Sequence, residues 1–433
     1  MASRDHLPIQ IGLPVEREWQ VAEPAPLSYI AFIAGEQMPD PGEAFLAAGC
    51  AFASEPRDVE PLPIDDDQVA WAFGFRVARR EARVLVWCER AQPGQTPDGA
   101  VSDACWVILV ETLLDATRPV EDAIALAATA AAAGGARTLL LYDPTLGVTW
   151  HRREFSQLFL GENANAGALV DERHLYRIEL TARDTSKGPY WLSSVGLARL
   201  AKPELELLEV PVTHVRAALE LMDALAARFI TNDLPDAGVP FEAGPALSIA
   251  LVPAREVIET LSAGAAGDAN DRRALPPGPR AVVCAAQQRG AFRKVWMPPL
   301  EELQRLAAHE TGLYLAPRVV DVRQRLARQT WGAFVAAHAA RDAQSTAVFV
   351  AKVSLALGTD SVARASRDDS DERAHVWVEV STLSNESGSG VVTGDASAAR
   401  AVTFASTDVG DWRILGLRPD LAEVGPESAT LLD

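Results

Sequence analysis

CWVILVETLLDATRPVEDAIALAATAAAAGGARTLLLYD, residues 105–143, is the stretch whose reading decides the fold. Cys105 to Val110 is an unbroken apolar run of strand length. Pro119 then suits the first turn of a helix, and Glu121 and Asp122 complement the helix dipole there. Val120, Ile124, Ala127 and Ala131 fall on one helical face, and Gly134-Gly135 ends the helix. Arg137 to Tyr142 reads as the next strand. The pattern is β-α-β, which predicts layered α/β architecture.

Upstream, residues 1–26 are rich in Pro and charge and read as an extended lead-in. Tyr29 to Ile33 is the first strand signal, and a short helix is expected over Glu43–Ala48 after Pro41. Val69–Val77 and Ala82–Cys88, separated by Arg79-Arg80-Glu81, predict an antiparallel pair. Downstream, His174–Leu180 and Leu205–Val210 are strand candidates. Val212, Val215, Leu219, Met222, Ala226 and Phe229 repeat at three- and four-residue steps and predict a helix over 212–229. Leu247–Val252 and a helix near Pro253–Leu261 complete an α/β region, 27–261, with room for two subdomains.

The segment SAGAAGDANDRRALPPGPR, 262–280, is dominated by Gly, Ala, Asp, Asn and Pro and reads as a linker. Beyond it, strands are expected at Ala281–Ala286 and Phe292–Trp296, and helices at Leu300–His309 and Val319–His338. Strands then follow at Ala347–Leu357, His375–Val380, Gly390–Val392, Ala401–Phe404 and Val409–Leu415. The fold class is therefore α/β to α+β: a layered α/β N-terminal region and a smaller helix-then-β-meander C-terminal domain, 281–433.

The 433 residues include 59 acidic and 40 basic side chains, a formal charge of −19. That field repels phosphate backbones and anionic lipid, so neither nucleic acid nor a membrane is expected as a partner; a basic protein is. The N-terminus lacks an apolar segment of signal-peptide length, and Ala123–Ala133 is too short and too weakly apolar to span a bilayer, so a cytoplasmic protein is expected. Cys50, Cys88, Cys105 and Cys284 lie in apolar surroundings with no CxxC or CxxH spacing, which predicts buried free thiols. Neither a metal nor a cofactor is expected.

Gly388-Ser389-Gly390-Val391-Val392-Thr393-Gly394 has the glycines of a phosphate loop, but no helix follows; it reads as a hairpin turn. His151 and Glu154 stand one helical turn apart without a matching pair elsewhere, and read as surface contacts. Arg76, Arg79, Arg80 and Arg83 form one basic cluster, and Arg318, Arg323, Arg325 and Arg328 another. No GxSxG or HExxH is present, and no catalytic residue is nominated. The candidate binding residues are two acidic runs expected as exposed loops: Asp65, Asp66 and Asp67, and Asp368, Asp369, Asp371 and Glu372.

Trp191-Leu192-Ser193-Ser194-Val195-Gly196-Leu197, followed by Pro203-Glu204-Leu205-Glu206, resembles a motif of large uncharacterised bacterial proteins. Ser193 and Val195 stand where that family tends to have imidazoles. Packing accounts for the motif physically, with Trp191 and Leu197 anchoring an edge and Gly196 permitting a tight turn. Ala374 to Val380, with Gly390 and Val409-Gly410-Asp411-Trp412, is similar to a small domain of unknown function, number 2314 in domain catalogues. Trp377 and Trp412 are expected in its core, with Asp411 capping a turn. The resemblance implies a shared fold and no activity. The reading that follows is a non-enzymatic binding protein, immunity- or antitoxin-like, with an acidic face towards a basic partner. The alternatives are a hydrolase with a dispersed site and a scaffold component of a larger assembly.

Overall fold

The computed structural model describes residues 24–64, 67–78, 80–92, 97, 104–161, 167–184, 188–259, 261, 264–275, 278–286, 296–308, 311–341, 345–356, 373–392, 401–418, 421–426 and 429. The chain divides into two compact units, Met1–Leu315 and Ala316–Asp433. The whole is a mixed α/β to α+β protein built on three mostly antiparallel sheets.

The first sheet of the larger unit takes β1 (Leu27–Ala34), β2 (Arg57–Pro61), β3 (Val69–Arg76), β4 (Val84–Arg90), β5 (Ala104–Thr112), β6 (Thr138–Asp143) and β7 (Val148–His151). Their order is β2-β3-β4-β5-β1-β6-β7. The expected β-α-β unit is present but split. β1 pairs antiparallel with both β5 and β6, so those two run parallel with β1 between them. Tyr29, Phe32 and Ile33 are buried on alternate faces of β1, as a central strand requires. Helices α1 (Pro41–Ala51) and α2 (Pro119–Ala133) pack together, α2 over β5, β1 and β6. Ala123, Ala127, Ala130 and Ala131 are buried, so α2 sits close to its neighbours. Gly134 preserves that approach, because a Cβ there would strike Ile33 and Thr138.

The second sheet contains β8 (Arg177–Ala182), β9 (Tyr190–Val195), β10 (Glu204–Val210), β11 (Phe241–Gly244), β12 (Leu247–Pro253) and β13 (Arg280–Ala285), in the order β11-β12-β13-β10-β9-β8. Helix α4 (Val215–Thr231) covers β8, β9 and β10, following α3 (Arg152–Phe155) in the chain. The opposite face packs Trp191, Leu208, Val252, Val282 and Cys284 against Ala254 and Val257 of α5 (Ala254–Ile258) and against Ala266. α6 (Leu300–Ala307) packs on α4. β9 is interior, so Trp191 does not anchor an edge. Gly196 does serve a turn: its φ is +118°, and a Cβ would run into the Leu175 carbonyl.

The segment 262–280 is therefore not an interdomain linker. β13 is inserted between β12, antiparallel, and β10, parallel. Just before it, Ala266 and Asp268 are buried, Gly267 lies against Leu208 and Trp191, and Arg272 reaches the Glu206 carboxylate. Asp268, Asp271 and Arg272, which gave the segment part of its linker composition, are hydrogen-bonded within the unit, while Asn270 and Arg273 stay exposed. The division falls at 315/316, where no such composition shift occurs.

The smaller unit opens with α7 (Pro317–Gln329) and α8 (Trp331–Ala340), one helix in expectation but two in fact. Thr330 separates them; its hydroxyl donates to the Leu326 carbonyl (2.6 Å) and accepts from the Trp412 indole (3.2 Å). The strands are β14 (Val348–Ala356), β15 (Arg373–Leu383), β16 (Ser387–Val392), β17 (Ala401–Ala405), β18 (Val409–Arg418) and β19 (Leu421–Val424), in the order β17-β16-β15-β14-β18-β19. Trp412 fills the core, stacked on Phe334 at 4.9 Å, with Trp331, Phe349 and Phe404 around them. Trp377 is half-buried and lies outside that cluster, because Val376 and Val378 beside it face the core. Gly388 and Gly390 lie within β16 and not in a turn. A Cβ at either would strike Phe404 or the Glu379 carbonyl. Asp411 lies within β18, where it pairs with Arg413 at 2.9 Å. The expected strand at 292–296 falls almost wholly outside the described residues.

A fragment of residues 1–262 lacks β13, an interior strand, and should show no cooperative thermal transition by circular dichroism. A fragment of residues 1–315 keeps the sheet complete and should melt cooperatively.

Candidate functional site

The buried face of the second sheet carries a polar row. Ser193 of β9 and Glu206 of β10 are register partners, and Arg280 enters from β13. Glu206 is fully buried and accepts from Arg272 (2.8 Å) and Arg280 (3.1 Å), while Arg280 also donates to the Ser193 hydroxyl (3.0 Å). The Arg272 guanidinium lies over the Trp191 ring at 5.4 Å. Two residues before Glu206 on β10, Glu204 accepts from the Ser194 hydroxyl (2.5 Å) and from the backbone N–H of Gly196 (2.9 Å) and Ala198 (3.2 Å). Both glutamates of the Pro203–Glu206 motif are thus bound within the fold. Ser193 accepts from the Arg280 guanidinium and donates to the Ser194 carbonyl at 3.3 Å, so its hydroxyl is committed to the same network.

Further polar groups are committed in the same way. Asp143 and Arg199 form a bidentate pair (2.9 and 2.5 Å) with both side chains fully buried. Arg80 pairs with Asp122 at 3.0 Å, so the first expected basic cluster is partly spent in the interior. Burial pushes the Asp122 carboxyl up, against the pull of Arg80. Asp171 accepts from Arg173 (2.9 and 2.5 Å). Burial raises its pKa, but His174 and Arg173 outweigh that and hold the carboxyl at about 2. Tyr176 donates to Asp223 at 2.7 Å. Glu154 accepts from the His151 backbone N–H at 2.8 Å, a local cap.

Of the sequence-nominated residues, Asp67 is exposed in a turn before β3. Asp65, Asp66, Asp368, Asp369, Asp371 and Glu372 lie outside the described residues. Of the four cysteines, Cys88 and Cys284 are buried, and burial pushes both thiols up to about 12. Cys105 is half-buried and Cys50 is exposed, contrary to the expectation of four buried thiols. Among the described residues, no three His, Cys, Asp or Glu side chains are grouped as a metal-ligand set, and no helix is long and apolar enough to cross a membrane.

Sequence reading missed a concave surface at the opposite end of the larger unit's first sheet. An open groove of about 510 Å³ runs between α1 and the β2 side of that sheet, lined by Gly42, Phe45, Leu46, Gly49, Cys50, Glu55, Pro56 and Val59. Leu46 is 71% exposed and Val59 is 45% exposed. α1 turns Ala44 and Ala48 inward, and Phe45 meets Phe73 and Phe75 edge-on at 5.2 and 5.7 Å. Leu46, Gly42 and Cys50 are left outside. The available signal was the sequence PGEAFLAAGCA itself. Glu43 is its only charged residue, so apolar groups surround the helix and more of them exist than one buried face can take.

Residues 178–284 match a family described as "Protein of unknown function (DUF4026) C-terminal". The match spans the second sheet from β8 to β13 and includes the Trp191 and Pro203–Glu206 motifs, but not the C-terminal stretch whose resemblance was noted. No curated protein and no solved structure matches the chain. The function is not established by any relative.

Two stability measurements test the polar assignments. Glu206→Ala strands two buried guanidiniums and should cost about 3–5 kcal/mol in urea unfolding, whereas Ser193→Ala should cost about 1 kcal/mol. Asp171 has a folded pKa of about 2, below the unfolded value of about 3.9. Its stabilisation, on the order of 2 kcal/mol, is complete above that unfolded value and is lost as pH falls towards the folded one. Between pH ~4 and ~2, Asp171→Asn should therefore lose less stability than the native chain, measured as the shift in urea midpoint.

Proposed function

We propose that this protein is a non-enzymatic binding protein, immunity- or antitoxin-like, that engages a basic protein partner through an acidic exterior. The observation that carries the reading is the distribution of charge. Arg80, Arg199, Arg272 and Arg280 are drawn into the interior against Asp122, Asp143 and Glu206. Asp171, Glu172, Asp268 and Asp411 are buried as well, so these contacts do not consume the −19 excess of the chain, and the charge left to meet a partner is acidic. A field of that kind steers a cationic partner and repels nucleic acid and anionic lipid.

The residues assigned to this encounter are the acidic runs Asp65–Asp67 and Asp368–Glu372, together with the carboxylates around the α1–β2 groove. The intracellular setting implied by free thiols fits a cytoplasmic partner.

The full chain, used as bait in a native-host extract at low and at high salt, should retain a basic protein at low salt only. With that protein purified, its association rate should fall about tenfold or more between 50 and 500 mM salt, while dissociation changes little. Neutralising Asp65, Asp66 and Asp67 together should slow association in the same sense. A partner whose association rate is indifferent to salt and to these substitutions would overturn the electrostatic reading.

A further inference from the structure

We infer that the groove between α1 and β2 receives an amphipathic α-helix whose apolar face is flanked by cationic residues, contributed by the basic partner proposed above, on which this assignment rests. Three features of the groove select that occupant.

The first is shape. On α1, Gly42, Leu46, Gly49 and Cys50 follow three- and four-residue steps and line the groove. Gly42 and Gly49 are seven residues apart, with Leu46 projecting between them as a knob, bordered by Asp40 beside Gly42 and by Pro56 beside Gly49. The eleven residues of α1 extend about 16 Å. That length suits roughly three turns of a second helix. The floor is held rigid by Phe45 wedged against Phe73 and Phe75, and the start of α1 by the Asp40 side chain accepting from the Gly42 N–H at 2.9 Å.

The second feature rejects a strand as occupant. β2 is an edge strand with all five residues exposed, and such edges often accept an added strand. Here the edge is blunted. Asp58 has a φ of +50°, in the left-handed region; the pairing with β3 shifts register between Arg57 and Glu60; and Pro61 closes the strand without an N–H. A bulged edge of this kind cannot offer a regular ladder of donors and acceptors, so the side chains of Leu46 and Val59 are what remains to be read.

The third feature is charge. Residues 42–60 carry four carboxylates, Glu43, Glu55, Asp58 and Glu60, against one guanidinium, Arg57. All five are exposed, and Glu55 lines the groove itself. Arg83 reaches Glu60 at 2.9 Å, and the other three acids still outnumber Arg57, an excess of two negative charges. An apolar floor with an acidic border complements an apolar helix face bordered by Lys or Arg, and opposes an acidic one.

Cys50 makes the assignment measurable, since it is exposed in the groove while Cys88 and Cys284 are buried. The probe is a synthetic Leu/Lys amphipathic helix of about fourteen residues, compared with a Leu/Glu helix of the same pattern and a Val/Lys peptide of alternating, strand-forming pattern. The readout is the rate of maleimide modification at Cys50, resolved by peptide mass mapping on the full chain. The Leu/Lys helix at saturation should slow modification about tenfold or more, and the other two should not. Leu46→Asp should abolish this protection while leaving the thermal transition in place, because Leu46 is largely exposed. Glu43→Lys combined with Glu55→Lys should weaken protection at low salt and have little effect at high salt.

If the Leu/Lys helix binds in a salt-dependent way yet leaves Cys50 unprotected, the groove assignment falls and the acidic-binder reading survives. Superior protection by the Val/Lys peptide would overturn the helical occupant. Equal protection by the Leu/Glu helix would overturn the cationic flank, and with it the electrostatic reading at this surface.

Discussion

Asp143 and Arg199 are each fully enclosed, and the order of the larger unit depends on their pairing. Asp143 closes β6 of the first sheet; Arg199 lies in the short turn between β9 and β10 of the second. Burying either charge alone would cost several kcal/mol, so the pair is tolerable only with near-ideal geometry. Most of that requirement is met, with Arg199 Nε left as a buried donor without a partner among the described residues. Both carboxylate oxygens receive guanidinium hydrogens, and Oδ1 also accepts the backbone N–H groups of Thr145 and Leu146 at 3.0 Å. One ion pair thereby fixes one sheet against the other. Tyr29 lies in the same enclosure, and burial, then the nearby Asp143 charge, holds its hydroxyl well above the usual phenol range.

The same principle explains what the sequence disclosed and what it concealed. Periodicity and caps located most helices and strands, because α2, α4 and the strands of the smaller unit bury apolar faces at regular spacing. Their order in space was not legible. Nothing in residues 105–143 states that β1 would insert between β5 and β6, since strand adjacency is set by long-range burial. The false linker is the sharper case. In DANDRRALPPGPR, residues 268–280, composition argues for solvent exposure, yet Asp268 accepts from the N–H groups of Gly264, Asn270 and Asp271, and Arg272 meets Glu206. A polar residue whose partner lies sixty-six positions away is indistinguishable, in one dimension, from a solvated one.

That concealment also bears on charge. A count of arginines overstates the cationic surface of this chain, because Arg80, Arg199, Arg272 and Arg280 face inward. Of the apparent basic cluster from Arg76 to Arg83, Arg80 is taken up by Asp122 and Arg83 by Glu60. A count of carboxylates overstates the acidic surface in the same way, because Asp122, Asp143, Asp171, Glu172, Glu206, Asp268 and Asp411 are buried.

The apolar residues of α1 and β2 acquire their meaning from the charges around them. An exposed Leu beside an exposed edge strand is an invitation to self-association, and two features of this surface oppose it. The left-handed Asp58 disrupts strand pairing, and the surrounding carboxylates repel an identical acidic surface brought by a second copy. Neither feature discriminates against an apolar helix with a cationic border. It needs no strand edge, and its charges are attracted by the very groups that keep like copies apart. The bulge and the acids thus act as filters on one surface, each excluding a different wrong occupant, and what both admit is a basic amphipathic helix.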